Sequence, residues 1–322
     1  GQNGVSAPAI RYTRPPVFNE SAPLRARVLS GGEWSAINEA SFFAGDLAES
    51  SNLTVSELMY NPPGSSEDLE FIELVNLSGT DTIELGGAKF TEGVQFSFPI
   101  NTRLAPGGRL LLVSDEEAFV SHYGPGLPIV GQYDGLLDNS GEQLVIENFT
   151  GNVILNFTYN DGSEWPSGSD GEGYSLVSRD SDLSDALSWR DSDERMGNPG
   201  ESDNTRFSGL PSTDEDRDGV DALLEYATGG DDRSPGDDLA TPVLSISRDG
   251  RLEIMISLNL SAFDIDISLE QTSDLVTWEP LVGFERIAII RNQAKGTARV
   301  VYRATTPQES STKFLRLRAT LR

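Results

Sequence analysis

Glu70-Phe71-Ile72-Glu73-Leu74-Val75-Asn76 points most directly to the architecture of this chain. It is a short run of aromatic, β-branched and aliphatic residues, the types that favour strands. Similar runs recur at residues 108–114, 142–147 and 153–159, with clusters of Gly, Pro, Asn, Asp and Ser between them. Short strands with turn residues about every eight to twelve positions are typical of β-sandwiches. The pattern therefore predicts an all-β protein.

Helical patterns are few. The stretch from Asp115 to Tyr123 has an acidic first turn and stops before a Gly-Pro pair, so it predicts one helix. A second helix is predicted from Val220 to Ala227, because two glycines follow it.

Composition divides the 322 residues into four segments. Residues 1–46 contain a few strands, residues 50–203 form the main β domain, and residues 239–322 form a second strand-rich unit the size of one small sandwich. Residues 204–238 are poor in apolar side chains and rich in Asp, Gly, Ser and Pro, so we interpret them as a linker. The chain begins at Gly1 without Met, and we interpret it as part of a longer polypeptide.

Charge and cysteine content exclude several classes of function. The net charge is −27, from 51 acidic and 24 basic residues, which disfavours partners such as nucleic acid and anionic membrane surfaces. Without cysteine there is no disulfide, zinc–cysteine cluster or thiol nucleophile. No apolar run is long enough to insert into a membrane as a spanning helix.

The linker contains Asp214-Glu-Asp-Arg-Asp-Gly-Val-Asp-Ala-Leu-Leu-Glu225, which matches the calcium-loop pattern D-x-D-x-D-G-x5-E. The three alternating aspartates direct their carboxylates at one point, and the glycine permits the sharp turn. The valine offers its main-chain carbonyl, and the glutamate supplies two oxygens from a following helix. The predicted Ca2+ ligands are Asp214, Asp216, Asp218, Val220 and Glu225.

Two alternatives remain open for this stretch. It could be a solvated acidic linker without an ion, and a single loop does not make a sensor, since sensors open a paired helix unit. The aspartates that follow could add oxygens to the ion, but we interpret them as solvated charge. These residues are Asp231, Asp232, Asp237 and Asp238.

We find no convincing catalytic constellation. His122 is the single histidine, and we predict that it places a favourable charge at a helix C-terminus. Glu57 and Glu73 lie on neighbouring predicted strands and could in principle form a glycosidase pair, but a framework role is favoured. Core roles are predicted for Trp34, Trp189 and Trp278. Trp165, in a polar loop, could stack on a sugar ring, but a core or loop-anchoring role is favoured.

The main domain resembles the lamin tail domain, an immunoglobulin-like sandwich of nuclear lamins and many secreted bacterial proteins. The resemblance rests on several motifs in the family's order. These are Val55-Ser-Glu57-Leu-Met-Tyr60-Asn61-Pro62-Pro63, Glu70 to Asn76, Phe96-Ser-Phe98-Pro99, Thr102-Arg-Leu104-Ala-Pro106-Gly107-Gly108, Leu110 to Val113, Gly173-Tyr-Ser175-Leu176, Trp189 and Asn198-Pro199-Gly200.

The flanks resemble other bacterial surface modules. Residues 24–42 are similar to the closing strands of the fibronectin-like domain at the end of chitobiase-type enzymes. Residues 214–229 are similar to single calcium-loop segments of exported planctomycete and verrucomicrobial proteins. Residues 268–278 and 314–317 are similar to the C-terminal sandwich that follows such segments. The expected fold is therefore a tandem of immunoglobulin-like β-sandwiches, joined by a short EF-hand-like calcium loop with one helix.

The resemblance implies a non-enzymatic structural or adhesive part of a large bacterial protein, located outside the cell or at its surface. Calcium would hold the acidic linker as a fixed joint. Two alternatives stay open. The chain could be an accessory module of a polysaccharide-degrading enzyme that binds surface polysaccharide, or it could assemble with other copies of itself through a strand edge that the partial N-terminal unit leaves unpaired.

Overall fold

The computed structural model describes residues 9–19, 21–64, 66–236, 239–307 and 313–322. Strands dominate these residues, which confirms the all-β prediction. The helices are α1 (Glu116–Tyr123) and α2 (Ala222–Thr228). The strands are β1 (Ala22–Ala26), β2 (Leu29–Ser30), β3 (Glu33–Trp34), β4 (Asn38–Phe42), β5 (Asp46–Leu47), β6 (Leu53–Met59), β7 (Phe71–Asn76), β8 (Ile83–Glu84), β9 (Lys89–Glu92), β10 (Arg103–Leu104), β11 (Arg109–Val113), β12 (Ile129–Gln132), β13 (Gln143–Glu147), β14 (Val153–Thr158), β15 (Leu176–Ser178), β16 (Trp189–Asp191), β17 (Val243–Ile246), β18 (Leu252–Asn259), β19 (Ile265–Thr272), β20 (Glu279–Pro280), β21 (Phe284–Asn292), β22 (Thr297–Ala304) and β23 (Phe314–Leu321).

The main domain is built on a six-stranded sheet in the order β12-β11-β7-β6-β15-β16. A three-stranded sheet, β14-β13-β9, contributes to the same core. The centre of this shared core holds large buried side chains from both sheets, including Leu74, Phe157 and Trp189. The predicted core role of Trp189 agrees with this position.

The middle strands of this sheet are covered on both faces, which explains their nearly continuous apolar sequence. Along β11, Leu110 and Leu112 belong to the main core, whereas Leu111 and Val113 belong to a second cluster with Phe119 of α1. Alternate residues of a strand face opposite sides of the sheet, so both sides of β11 are buried. Helix α1 thus closes the back of the sheet.

Helix α1 follows its sequence signals closely. Asp115 caps its first turn by accepting a hydrogen bond from the main-chain N–H of Ala118 at 2.8 Å. Gly124 ends it with φ of 89°, a conformation that favours glycine. His122 lies in the last turn, as predicted.

The N-terminal segment adds a two-stranded antiparallel sheet, β1–β4, with the small hairpin β2–β3 between its strands. It contacts the main domain at two points. The ring of Phe43 stacks on that of Phe149, with 3.7 Å between their centroids, and the hydroxyl of Ser21 donates a hydrogen bond to the carboxylate of Glu84. Trp34 is exposed beneath the guanidinium of Arg27, so its predicted core role is wrong. Trp34 lies in the β2–β3 hairpin, whose strand residues are all exposed within the described part of the chain.

The C-terminal segment is a second sandwich, with sheets β17-β18-β22-β21 and β20-β19-β23. Its core includes Ile254, Ile256, Val300 and Leu317. Trp278 is only half-buried, with the guanidinium of Arg316 at 4.1 Å from its ring, so the predicted core role holds only in part. None of the helices formed by the described residues could span a lipid bilayer.

Candidate calcium site and the joint between the sandwiches

The predicted calcium loop folds tightly around its own aspartates. The main-chain N–H groups of Asp218 and Gly219 donate to the carboxylate of Asp214, each at 3.2 Å. The N–H of Val220 donates to Asp218 at 2.9 Å. Gly219 has φ of 95°, the sharp turn expected of it, and Arg217 has φ of 64°. The chain therefore wraps about the point at which the carboxylates meet.

Three predicted ligands come together at this point. Carboxylate oxygens of Asp214, Asp216 and Asp218 all lie within 4.8 Å of one another. Burial raises the pKa of Asp216, and the neighbouring charges of Asp218 and Asp214 raise it further. A divalent cation between these oxygens would offset that repulsion and would find the hard ligands that calcium prefers.

Glu225 is not one of this group of oxygens. It sits in the first turn of α2 and its side chain is buried. The helix starts two residues later than predicted, because Asp221 acts as its N-cap and accepts from the N–H of Leu224 at 2.9 Å. Gly229 ends it in the left-handed conformation. The structure thus brings carboxylate oxygens of the three aspartates within 4.8 Å of one another, and Glu225 remains a predicted ligand outside this group.

The segment after α2 folds back over the loop. Asp232 accepts a hydrogen bond from the N–H of Glu215 at 2.9 Å, and the N–H of Gly236 donates to Asp218 at 3.4 Å. The charge of Asp232 also contributes to the raised pKa of Asp216. Asp231 accepts from the N–H of Arg233. Asp237 and Asp238 lie outside the described residues.

Helix α2 belongs to the C-terminal sandwich by its contacts. Leu223 and Ala227 are buried in one apolar cluster with Ala262 and Ile265. Just before the loop, the N–H of Phe207 donates to Asp264 at 2.9 Å. The loop is therefore held against the second sandwich on both of its sides.

The two sandwiches also contact each other directly, which sequence reasoning missed. The guanidinium of Arg291 donates to the main-chain carbonyls of Glu164, Ala186 and Trp189, at 2.8, 2.5 and 2.9 Å. Burial lowers the pKa of Arg291 to about 10, so it remains protonated at neutral pH. The available signal was an arginine directly after the apolar run at residues 287–290 of β21.

Trp165 lies in this joint. Its ring centroid is 6.4 Å from that of Trp189, and it packs against two apolar clusters, one of which contains Ile289 and Ala298 of the C-terminal sandwich. Its half-buried ring anchors the loop between the sandwiches. This contact agrees with the favoured anchoring interpretation rather than with sugar stacking.

Glu57 and Glu73 are both buried parts of the framework. Glu73 accepts from Arg109, from Ser56 and from the N–H of Gly200. Glu57 accepts from Ser175 and from the N–H of Asn198. Burial raises the pKa of Glu57 to about 8, and the charge of Glu73 adds to this effect.

Comparison with known families supports the main domain. Residues 47–161, about a third of the chain, match the family model of the Lamin Tail Domain. A search of curated proteins finds no match, and neither does a search of solved structures. The match confirms the lamin-tail resemblance for these residues, and an immunoglobulin-like domain of this family fits a structural or interaction module. Strands β15 and β16 lie beyond the match and complete its six-stranded sheet.

Proposed function

We propose that this chain is a non-enzymatic structural or adhesive module of a large secreted or cell-surface bacterial protein, in which Ca2+ rigidifies the acidic segment at 204–238. The observation that supports it best is the convergence of three carboxylates within 4.8 Å in a loop with the calcium-binding spacing. The lamin-tail match supports the structural role, because domains of this family are generally non-catalytic.

The mechanism follows from the contacts of the loop. Without an ion, the clustered charges of Asp214, Asp216 and Asp218 repel one another and favour an open loop. With the ion, the loop closes beneath the segment that includes Asp232 and stays docked on the C-terminal sandwich through α2. Binding free energy would thereby become local folding free energy. The direct joint through Arg291 would keep the two sandwiches together in either state.

Glu225 has a specific place in this proposal. Its carboxylate is not one of the group of three, and its buried side chain lies in the first turn of α2, directly after the loop. Ca2+ takes six to eight oxygens, and water can supply those that the protein does not. Glu225 therefore tunes affinity, whereas the aspartates form the site.

Calorimetric titration with Ca2+ tests the proposal, with the wild type beside Asp216→Ala and Glu225→Ala. Saturable binding that Asp216→Ala abolishes at the loop, and that Glu225→Ala weakens or abolishes, would support a structural metal site. Lys295→Ala, a change in an exposed turn of the C-terminal sandwich, is the control and should bind like the wild type. Absence of loop binding at millimolar Ca2+ would reduce residues 214–225 to a charged linker.

Self-assembly is the second candidate, because a specific feature favours it. Strand β17 lies at the edge of its sheet and exposes Val243, Leu244 and Ile246 by half or more. An exposed apolar edge strand is a template for pairing with another chain. Concentration-dependent oligomers in sedimentation experiments, lost in Leu244→Lys, would support pairing with other copies. A monomer at high concentration would contradict it.

A further inference from the structure

A segment that follows the last strand of the main domain closes over its six-stranded sheet. We call residues 193–204 the strap. Two buried carboxylates hold it from beneath, since the N–H of Asn198 donates to Glu57 at 3.2 Å and the N–H of Gly200 donates to Glu73 at 2.6 Å. The strap is thus tied to β6 and β7 by acceptors that come from the sheet.

A small cavity lies between the strap and the sheet. Its volume is about 10 Å3, roughly the room that one water or one bare cation needs. Glu57 and Arg109 line it from the sheet, and Asn198, Asp203 and Asn204 line it from the strap. The cavity is therefore polar on both sides.

Three oxygens of the lining residues are buried and accept no hydrogen bond from any part of the chain that the structure describes. They are Glu57 Oε2, Asn198 Oδ1 and Asn204 Oδ1. The other oxygen of Glu57 is already occupied by Ser175 and by the strap. Buried acceptors without partners are costly, so a group that satisfies them is expected.

The orientation of Asn204 agrees with an acceptor on the cavity side. Its amide nitrogen donates to the main-chain carbonyl of Ser178 at 3.4 Å, which leaves the amide oxygen as the free end. Asn204 therefore presents an oxygen, not an N–H, to its remaining surroundings.

A cation explains the three acceptors better than a water does. A water can donate to only two of the three acceptors, whereas a cation can be bound by all three once it displaces the proton that the raised pKa of Glu57 keeps on this carboxyl group. The lining residues also include the carboxylates of Glu57, Glu201 and Asp203 but a single guanidinium, that of Arg109. That guanidinium is paired with Glu73, and the guanidinium of Arg190 lies 4.0 Å from the carboxylate of Asp203, so within the described residues Glu57 and Glu201 are the lining carboxylates without an ion-pair partner. Carboxylate and amide oxygens are ligands of hard cations such as calcium.

We propose that this cavity is a second metal site, in which Glu57 Oε2, Asn198 Oδ1 and Asn204 Oδ1 bind one hard cation, with Ca2+ as the favoured ion. The ion links the strap to the sheet and so completes the main domain beyond its lamin-tail match. It is independent of the loop at Asp214, and it goes beyond the function proposed above.

The test uses the full chain with the loop site removed, as Asp214→Asn/Asp216→Asn/Asp218→Asn. Calorimetry and thermal unfolding are measured with Ca2+ and with chelator. We expect this variant to retain one Ca2+ equivalent and a Ca2+-dependent rise in Tm. Adding Glu57→Gln should abolish both, and adding Glu201→Gln, the matched change in a lining carboxylate that is not a proposed ligand, should preserve both.

Folding failure is separated from loss of the site in two ways. Glu57→Gln retains the oxygen that accepts from Ser175 and Asn198, so its Tm in chelator should equal or exceed that of the parent. Crystals soaked in Tb3+ should show an anomalous peak in the cavity with protein oxygens at roughly 2.3–2.6 Å, the range for calcium ligands. A water in the cavity, no retained Ca2+ in the loop variant, or retained binding after Glu57→Gln would overturn the proposal. Each of these results leaves binding at the loop itself unaffected.

Discussion

Arg286 and Asp185 form a bidentate ion pair across the boundary between the two sandwiches, with N–O distances of 2.6 and 2.7 Å. Asp185 is itself oriented by accepting a hydrogen bond from the N–H of Leu187. Planar, two-fold pairing of this kind adds geometric specificity to charge attraction. The joint between the sandwiches is therefore a directed contact and not only a consequence of the linker.

A double-mutant cycle on this pair should give a modest coupling energy. Both side chains are about 28 to 29% exposed, so solvent screens the pair. We expect Arg286→Ala and Asp185→Ala to be coupled by about 1 kcal/mol at low salt, and by less at high salt. Urea unfolding of the four proteins measures this value. Strictly additive effects at low salt would show that the pair does not stabilise the joint.

Arg291 should contribute more to the joint than Arg286 does. Arg291→Ala leaves three main-chain carbonyls without their donor, and each buried acceptor without a partner costs about 1–3 kcal/mol. We expect the free energy of unfolding to fall by roughly 3 kcal/mol or more, and the radius of gyration measured by solution scattering to increase. Arg299→Ala, at an exposed position on the neighbouring strand, is the matched control and should leave both unchanged. A compact, fully stable Arg291→Ala protein would contradict the assignment.

Chelation should open the linker without unfolding the sandwiches. Arg217 and Arg233 provide tryptic sites inside the loop region, and both are exposed. Loss of about 1.4 kcal/mol of local stability raises the open population tenfold, so cleavage there should accelerate by about that factor. Mass spectrometry of the fragments locates the cuts. The control is Asp216→Ala, which should be cleaved at the faster rate with or without chelator. If chelator does not change the cleavage rate of the wild type, the mechanism is refuted.

Glu70 should make the stability of the main domain fall as the pH rises. Its carboxylate is fully buried and accepts from Tyr133 and from the N–H of Leu137. Burial raises its pKa from the ordinary value of 4.5 to about 7. The folded state thus binds this proton more tightly than the unfolded state does. The contribution is complete below about pH 4.5 and is lost as the pH passes through about 7.

The variant Glu70→Gln isolates this effect. The free energy of unfolding of the variant minus that of the wild type should rise by up to about 3 kcal/mol between pH 4.5 and 7 and then stay constant. Urea unfolding across this range, at constant Ca2+, gives the difference at each pH. Glu67→Gln, at an exposed carboxylate three residues away, should show no such trend. A difference that is flat with pH would mean that Glu70 is ionised in the folded protein.

Local features of the fold were predictable because they depend on neighbours in sequence. The apolar run at 108–114 became β11, and the acidic turn with a following Gly-Pro pair became α1. The spacing of the calcium loop also brought its three aspartates together. Asp221 showed the limit of this reasoning, because its role as an N-cap moved the start of α2 by two residues.

No local sequence pattern predicted which residues distant in sequence would contact each other. Arg291 meets Ala186, which is 105 residues away, and Asn198 meets Glu57 across 141 residues. Such pairs form only when sheets and segments pack, since the free energy of burial depends on what covers a side chain. For the same reason, the prediction that Trp34 is a core residue was wrong, since its ring is exposed, and only the packed structure showed that Trp165 lies in the joint. Periodicity, caps and loop spacing established the strands, the helices and the aspartate cluster, whereas the packing of distant segments established the joint, the strap and its cavity.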